Sequence, residues 1–150
     1  MKLKHFLLTL TMATTLLFTA CKKDKEDDST TTDDGVNEEF VMPTGEPAKV
    51  MGKWQVASIT TNNHFAGVDH IETYNGTAAD YAEFKNSGKL HTFFQGVLDV
   101  SNFTVRSATQ ITIDGDPADI KVLTDSKLVI YDKDKTGTFG FTEITYDLKK

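Results

Sequence analysis

Two stretches of the chain set metal-ligand side chains at suggestive spacings. Asp132, Asp134, Gly137 and Glu143 fill the first, third, sixth and twelfth places of a calcium-loop template, with Thr136 at the fifth. Lys133 and Lys135, however, put two positive charges among the proposed ligands, and the flanks alternate as strands do, not as helices. An Asp-rich hairpin turn between Tyr131 and Phe139 accounts for the same residues. His64, Asp69, His70 and Glu72 also crowd together, and imidazoles with carboxylates can bind zinc. The interval between the two histidines suits neither a strand face nor a helix face, and no cysteine lies near. His91 alternates with Leu90 and Thr92 and reads as solvent-facing. No nucleophile elbow, phosphate-cradling glycine loop or dinucleotide fingerprint occurs. The residues call for no cofactor, no resident metal and no enzyme.

The remaining reactive group is Cys21, the only cysteine, which excludes an intramolecular disulfide. It follows a positive start (Lys2, Lys4, His5), an apolar run from Phe6 to Phe18 and the small residues Thr19 and Ala20. Residues 1–20 therefore read as an export signal, too short in its apolar part to span a bilayer comfortably. The segment Leu17-Phe18-Thr19-Ala20-Cys21 resembles the lipobox of bacterial lipoproteins, departing from it in having Phe18 where leucine is commonest. That resemblance implies lipidation of Cys21 on sulfur and multiple acylation. One chain alone binds a membrane only marginally, at about 0.8 kcal/mol per buried CH₂. Lys22-Lys23-Asp24-Lys25-Glu26-Asp27-Asp28 is similar to the lysine-and-acid signals that send Bacteroidetes lipoproteins to the cell surface; by composition alone it is a solvated tether. The expected location is the outer membrane, lipid-anchored and facing outward.

The formal charge is −6, with Arg106 the single arginine. An acidic chain without an arginine cluster opposes nucleic-acid binding, which needs cations to neutralise phosphates. From residue 21 to 49 the sequence is rich in Thr, Asp and Glu, contains Pro43 and Pro47, and lacks periodicity, as expected of a flexible stalk. Asp28-Ser29-Thr30 resembles a short O-glycosylation acceptor of the same bacterial group. Asn75-Gly76-Thr77 fits an N-glycosylation sequon that presumes a eukaryotic host.

From residue 50 the pattern turns to short runs of β-branched and aromatic residues split by turn formers. Eight strands are expected: 53–61, 81–85, 89–95, 99–106, 110–114, 118–123, 127–133 and 138–148. Alternation pairs Trp54 with Val56, Phe103 with Val105, Ile111 with Ile113, Ile120 with Val122, Leu128 with Ile130, and Ile144 with Tyr146 and Leu148 on one face. Phe139 and Phe141 fall out of phase, which predicts a bulge or bend near Gly140. Tight turns make successive strands antiparallel neighbours, and closure removes both sheet edges, so the predicted fold is all-β, an eight-stranded antiparallel up-and-down barrel over residues 50–150.

Gly52-Lys53-Trp54, Tyr81-Ala82-Glu83-Phe84 with Gly88-Lys89-Leu90, and Leu123-Thr124-Asp125-Ser126-Lys127-Leu128-Val129-Ile130 together resemble the lipocalin-like domain of small Bacteroidetes surface and outer-membrane lipoproteins. The resemblance implies a cup open at one end with Trp54 closing its floor. This chain departs from it in lacking the C-terminal helix and any arginine near the last strand to cover Trp54. It also implies a small, partly apolar ligand held among Trp54, Phe84, Phe94, Phe103, Ile113, Ile130, Phe141 and Tyr146. The stretch Asn62 to Asp80 is expected to be a long loop: either a lid, as the resemblance to lipocalins implies, with a short helical turn near Asp69 to Tyr74 and with Phe65, Ile71 and Tyr74 over the opening, or an irregular loop packing its apolar residues on the rim. A second reading is a filled barrel that works through its outer surface as a subunit of an envelope complex. No particular protein partner is indicated.

Overall fold

A computed structural model describes residues 40–135 and 140–150; the expected export signal, Cys21 and Phe139 lie outside the described residues. The strands are β1 (Gly52–Phe65), β2 (Val68–Asn75), β3 (Tyr81–Phe84), β4 (Lys89–Phe94), β5 (Val97–Ser107), β6 (Gln110–Ile113), β7 (Asp116–Leu123), β8 (Lys127–Lys135) and β9 (Gly140–Lys149). From β3 to β9 each strand pairs antiparallel with the next, and β1 bridges the ends, with Trp54 opposite Ala82 of β3 and Val56 opposite Leu148 of β9. The result is the closed eight-stranded antiparallel barrel, with β2 as an addition. β2 and β3 lie end to end along one edge of β1, β2 against Ser58–Phe65 and β3 against Gly52–Gln55.

β2 replaces the expected loop and its helical turn. Ala66 and Gly67, at φ 51° and 84°, make a two-residue turn that folds β2 straight back on β1. The same pair of positive φ values recurs at Gln95-Gly96 and Asp114-Gly115, so three hairpins at one end of the barrel share a turn chemistry. The opposite end carries the turns after β3, β5 and β7 and both chain ends of the barrel.

Two phase assignments and one boundary also change. A bulge between Ile120 and Val122 turns Val122 outward, where it faces Val129 and is 37% exposed. No bulge forms in β9: its register runs unbroken from Phe141 to Lys149 against β8. Phe141 therefore lies on the face opposite Tyr146, outside the barrel, and is not part of its lining. Residues expected in the stalk also join the folded unit, because Glu46–Val50 forms a 3-10 helix and Phe40 packs against the core.

That core fills the lower barrel. Trp54, Val56, Phe84, Phe103, Ile111, Leu128, Ile130 and Leu148 are each at most 3% exposed. Phe84 and Phe40 both meet Phe103 edge to face, with centroids 5.1 and 5.2 Å apart. Such T-shaped pairs add to area burial because ring edges are positive and ring faces negative.

Candidate functional site

The site is built upward from Trp54. Its indole N–H donates to the Val50 carbonyl at 2.7 Å, so the 3-10 helix closes the barrel beneath it with Val50 wholly buried. Lys150 lies with Nζ 4.1 Å from the centroid of the Trp54 ring and donates to the Met51 carbonyl at 3.2 Å. A lysine at the end of β9 thus covers the floor tryptophan where no arginine was available, by the attraction of a cation for a π face.

Above this floor the inward positions change character. Ile59, Phe94, Ile113 and Tyr146 point the same way as the core but are only partly buried. They form an apolar layer at the end of the barrel away from Trp54. Burial, together with the nearby Asp132 carboxylate, pushes the Tyr146 phenol up to about 12, so it stays neutral. Ile59 enters the layer because an irregularity between Val56 and Ser58 shifts the phase of β1 by one residue. Alternation from Trp54 alone would have turned it outward.

A buried carboxylate braces the rim of this layer. Asp80, 2% exposed, sits in the break between β2 and β3. Its Oδ2 accepts from Tyr74 Oη at 2.6 Å and from Thr77 N and Oγ1, both at 2.7 Å. Its Oδ1 accepts from Gln95 N, at 2.9 Å, in the turn after β4. These donors, Tyr74 first, hold the Asp80 carboxyl far below the usual carboxylate range, and the carboxylate in turn raises the Tyr74 phenol. Sequence reading missed Asp80; the Thr-x-x-Asp spacing of Thr77 and Asp80 was the available signal.

The upper halves of β2, β1, β9 and β8 stand beyond this rim, and their outer face carries a polar network. His64 Nδ1 lies 2.7 Å from Asp69 Oδ1, which lowers the Asp69 pKa, and the His64 ring stacks on Phe141 at 4.5 Å. Lys133 sits 3.8 Å from the Phe141 centroid and donates to Glu143 at 2.8 Å, while Tyr131 donates to the same Glu143 oxygen at 2.7 Å. Lys133 and then Tyr131 lower the Glu143 pKa; the Tyr131 phenol is pushed up to about 12.

This register resolves the metal-like patterns. Asp132 and Asp134 are opposite Ile144 and Thr142, whereas Glu143 is opposite Lys133, so the template's carboxylates fall on opposite faces of one sheet. They cannot converge on one calcium ion. His64 and His70 likewise alternate to opposite faces of the β1–β2 hairpin. Among the described residues no group of three or more His, Cys, Asp or Glu is arranged to hold a metal.

Of the anticipated lining residues, Trp54, Phe84, Phe103 and Ile130 are core, Phe94, Ile113 and Tyr146 reach the open layer, and Phe141 lies outside. Of the anticipated lid, Phe65 and Ile71 are 66% and 65% exposed on the hairpin, and Tyr74 is tied to Asp80.

No family model matches the chain, and no curated protein does. Among solved structures, it is similar to the bovine lipocalin allergen Bos d 2, at 19% identity and a TM-score of 0.44, over 71% of this chain and 75% of that one.

Proposed function

We propose that this protein is a lipid-anchored, lipocalin-like binding protein of the outer membrane, displayed at the cell surface, that holds a small, partly apolar ligand. The observation that carries the binding reading is the inward, partly exposed apolar layer of Ile59, Phe94, Ile113 and Tyr146 at the end of the barrel opposite the floor made by Val50, Trp54 and Lys150. Such a site works by apolar enclosure, with a few polar groups fixing orientation. The ligand's apolar part rests on that layer and its polar part meets the rim. Because the lower barrel is filled, the cup is shallow and suits a small molecule. Anchoring is supported by the sequence around Cys21 and by the charged block that follows it.

Native mass spectrometry of the full chain purified from its source membrane tests both parts. The expected spectrum shows a mass increase from acylation, absent in Cys21→Ser, and a dissociable small molecule. An unmodified chain would defeat the anchor, and an acylated chain with nothing bound would defeat the cup.

A second reading is favoured by the outer face of β3, β4 and β5. Tyr81 and Phe93 stack there at 6.0 Å, opposite or beside Leu98 and Val100, which are 58% and 48% exposed. In that reading the barrel is a filled scaffold that binds an envelope protein through this patch.

A further inference from the structure

We infer that the free edge of β2 is a self-association surface, on which a second copy of this chain pairs its own β2 antiparallel across a two-fold axis at Ile71. Among the described residues β2 pairs only with β1, and every β2 residue except Tyr74 is exposed. Sheet edges that must stay single are ordinarily blunted by lysine, proline, a bulge or inward-pointing charge; Val68-Asp69-His70-Ile71-Glu72-Thr73-Tyr74-Asn75 has no lysine, proline or bulge, and its carboxylates Asp69 and Glu72 are ones that self-pairing can set against unlike partners.

The hairpin fixes which backbone groups face outward. Residues flanking a two-residue turn exchange hydrogen bonds, so Phe65 with Val68 is a bonded pair and bonding alternates from there. Gly76 N donating to Ala57 O at 3.0 Å keeps the same phase at the far end. The N–H and C=O groups of Asp69, Ile71 and Thr73 consequently point away from β1 and are available to another strand.

The side chains then select the second copy and its register. With Ile71 opposite Ile71, Asp69 meets Thr73, and His70 meets Glu72 twice in the closer, non-bonded positions of the ladder. Shifting the centre by one residue sets Glu72 against Glu72 or His70 against His70. Of these three registers only the one centred on Ile71 sets no like ionisable groups opposite each other, and it also covers the 65% exposed Ile71 side chain.

The test uses the full-length chain carrying Cys21→Ser, so that neither acylation nor a thiol link brings copies together. Sedimentation velocity is expected to show a monomer–dimer equilibrium, with the amides of Asp69, Ile71 and Thr73 gaining hydrogen-exchange protection as concentration rises. His70→Glu places carboxylates opposite Glu72 and should weaken association by about tenfold or more, and adding Glu72→Lys should restore it. A chain that stays monomeric up to about 1 mM overturns the inference. So does a dimer indifferent to His70→Glu, or one in which those three amides still exchange freely.

Discussion

At the scale of single residues, Trp54 and Asp80 matter most, because each satisfies a polar group inside an otherwise apolar or crowded setting. Trp54→Ala would leave a void beneath the cup and the Val50 carbonyl without its donor, at a cost of about 3–5 kcal/mol. Lys150→Ala removes the cation over the ring together with its exposed hydrogen bond to the Met51 carbonyl and should cost about 0.5–1 kcal/mol. Denaturant titrations followed by the emission of Trp54, the single tryptophan, read both against the parent chain, with circular dichroism following the Trp54 variant. Asp80 makes a pH prediction. Its folded pKa is depressed, so its stabilisation is complete above the unfolded carboxylate pKa of about 4 and is lost as pH falls toward the folded value. Asp80→Asn should lower stability at neutral pH by about 1–3 kcal/mol and flatten the acid limb of the stability–pH curve. An acid limb unchanged by the substitution would show that the four donors do not favour the charged form.

At the scale of elements, the hairpin turns govern the end of the barrel that carries the open layer. Ala66 holds a left-handed conformation better suited to asparagine, so Ala66→Asn should stabilise the β1–β2 hairpin by several tenths of a kcal/mol, seen as a raised Tm. Gly76→Ala should do the reverse, since its Cβ would lie 2.1 Å from the Val56 carbonyl oxygen; about 1–3 kcal/mol is expected, with the loss concentrated where β2 meets β3. The same turns explain what could be read in advance. All eight barrel strands carry enough apolar alternation or turn punctuation to be placed, and each was. β2 was not, because Asp69, His70, Glu72 and Thr73 expose polar groups on both faces and Ala-Gly is a weak hairpin signal beside Asn-Gly. Of the site, the residues in phase with Trp54 were legible. Ile59 and Val122 were not, because bulges in β1 and β7 shift the phase without any glycine to announce it. Phe141 was misassigned by invoking a bulge at Gly140 that the continuous β8–β9 register does not contain.

At the scale of the whole molecule, the pairing of β1 with β9 turns a meander into a vessel, and the 3-10 helix with Lys150 gives that vessel a bottom. The proposed anchor at Cys21 and the proposed cup use different residues of the sequence, so Cys21→Ser should release the protein from membranes while leaving ligand affinity unchanged, as cell fractionation and a binding titration would show. The cup itself is tested most directly by titrating the folded chain with the neutral apolar probe N-phenyl-1-naphthylamine and following energy transfer from Trp54, which lies directly under the proposed site. The account predicts saturable transfer with one probe per chain, abolished by Tyr146→Lys in a protein that keeps its strand signal in circular dichroism. Transfer that never saturates, or that Tyr146→Lys leaves untouched, would contradict it.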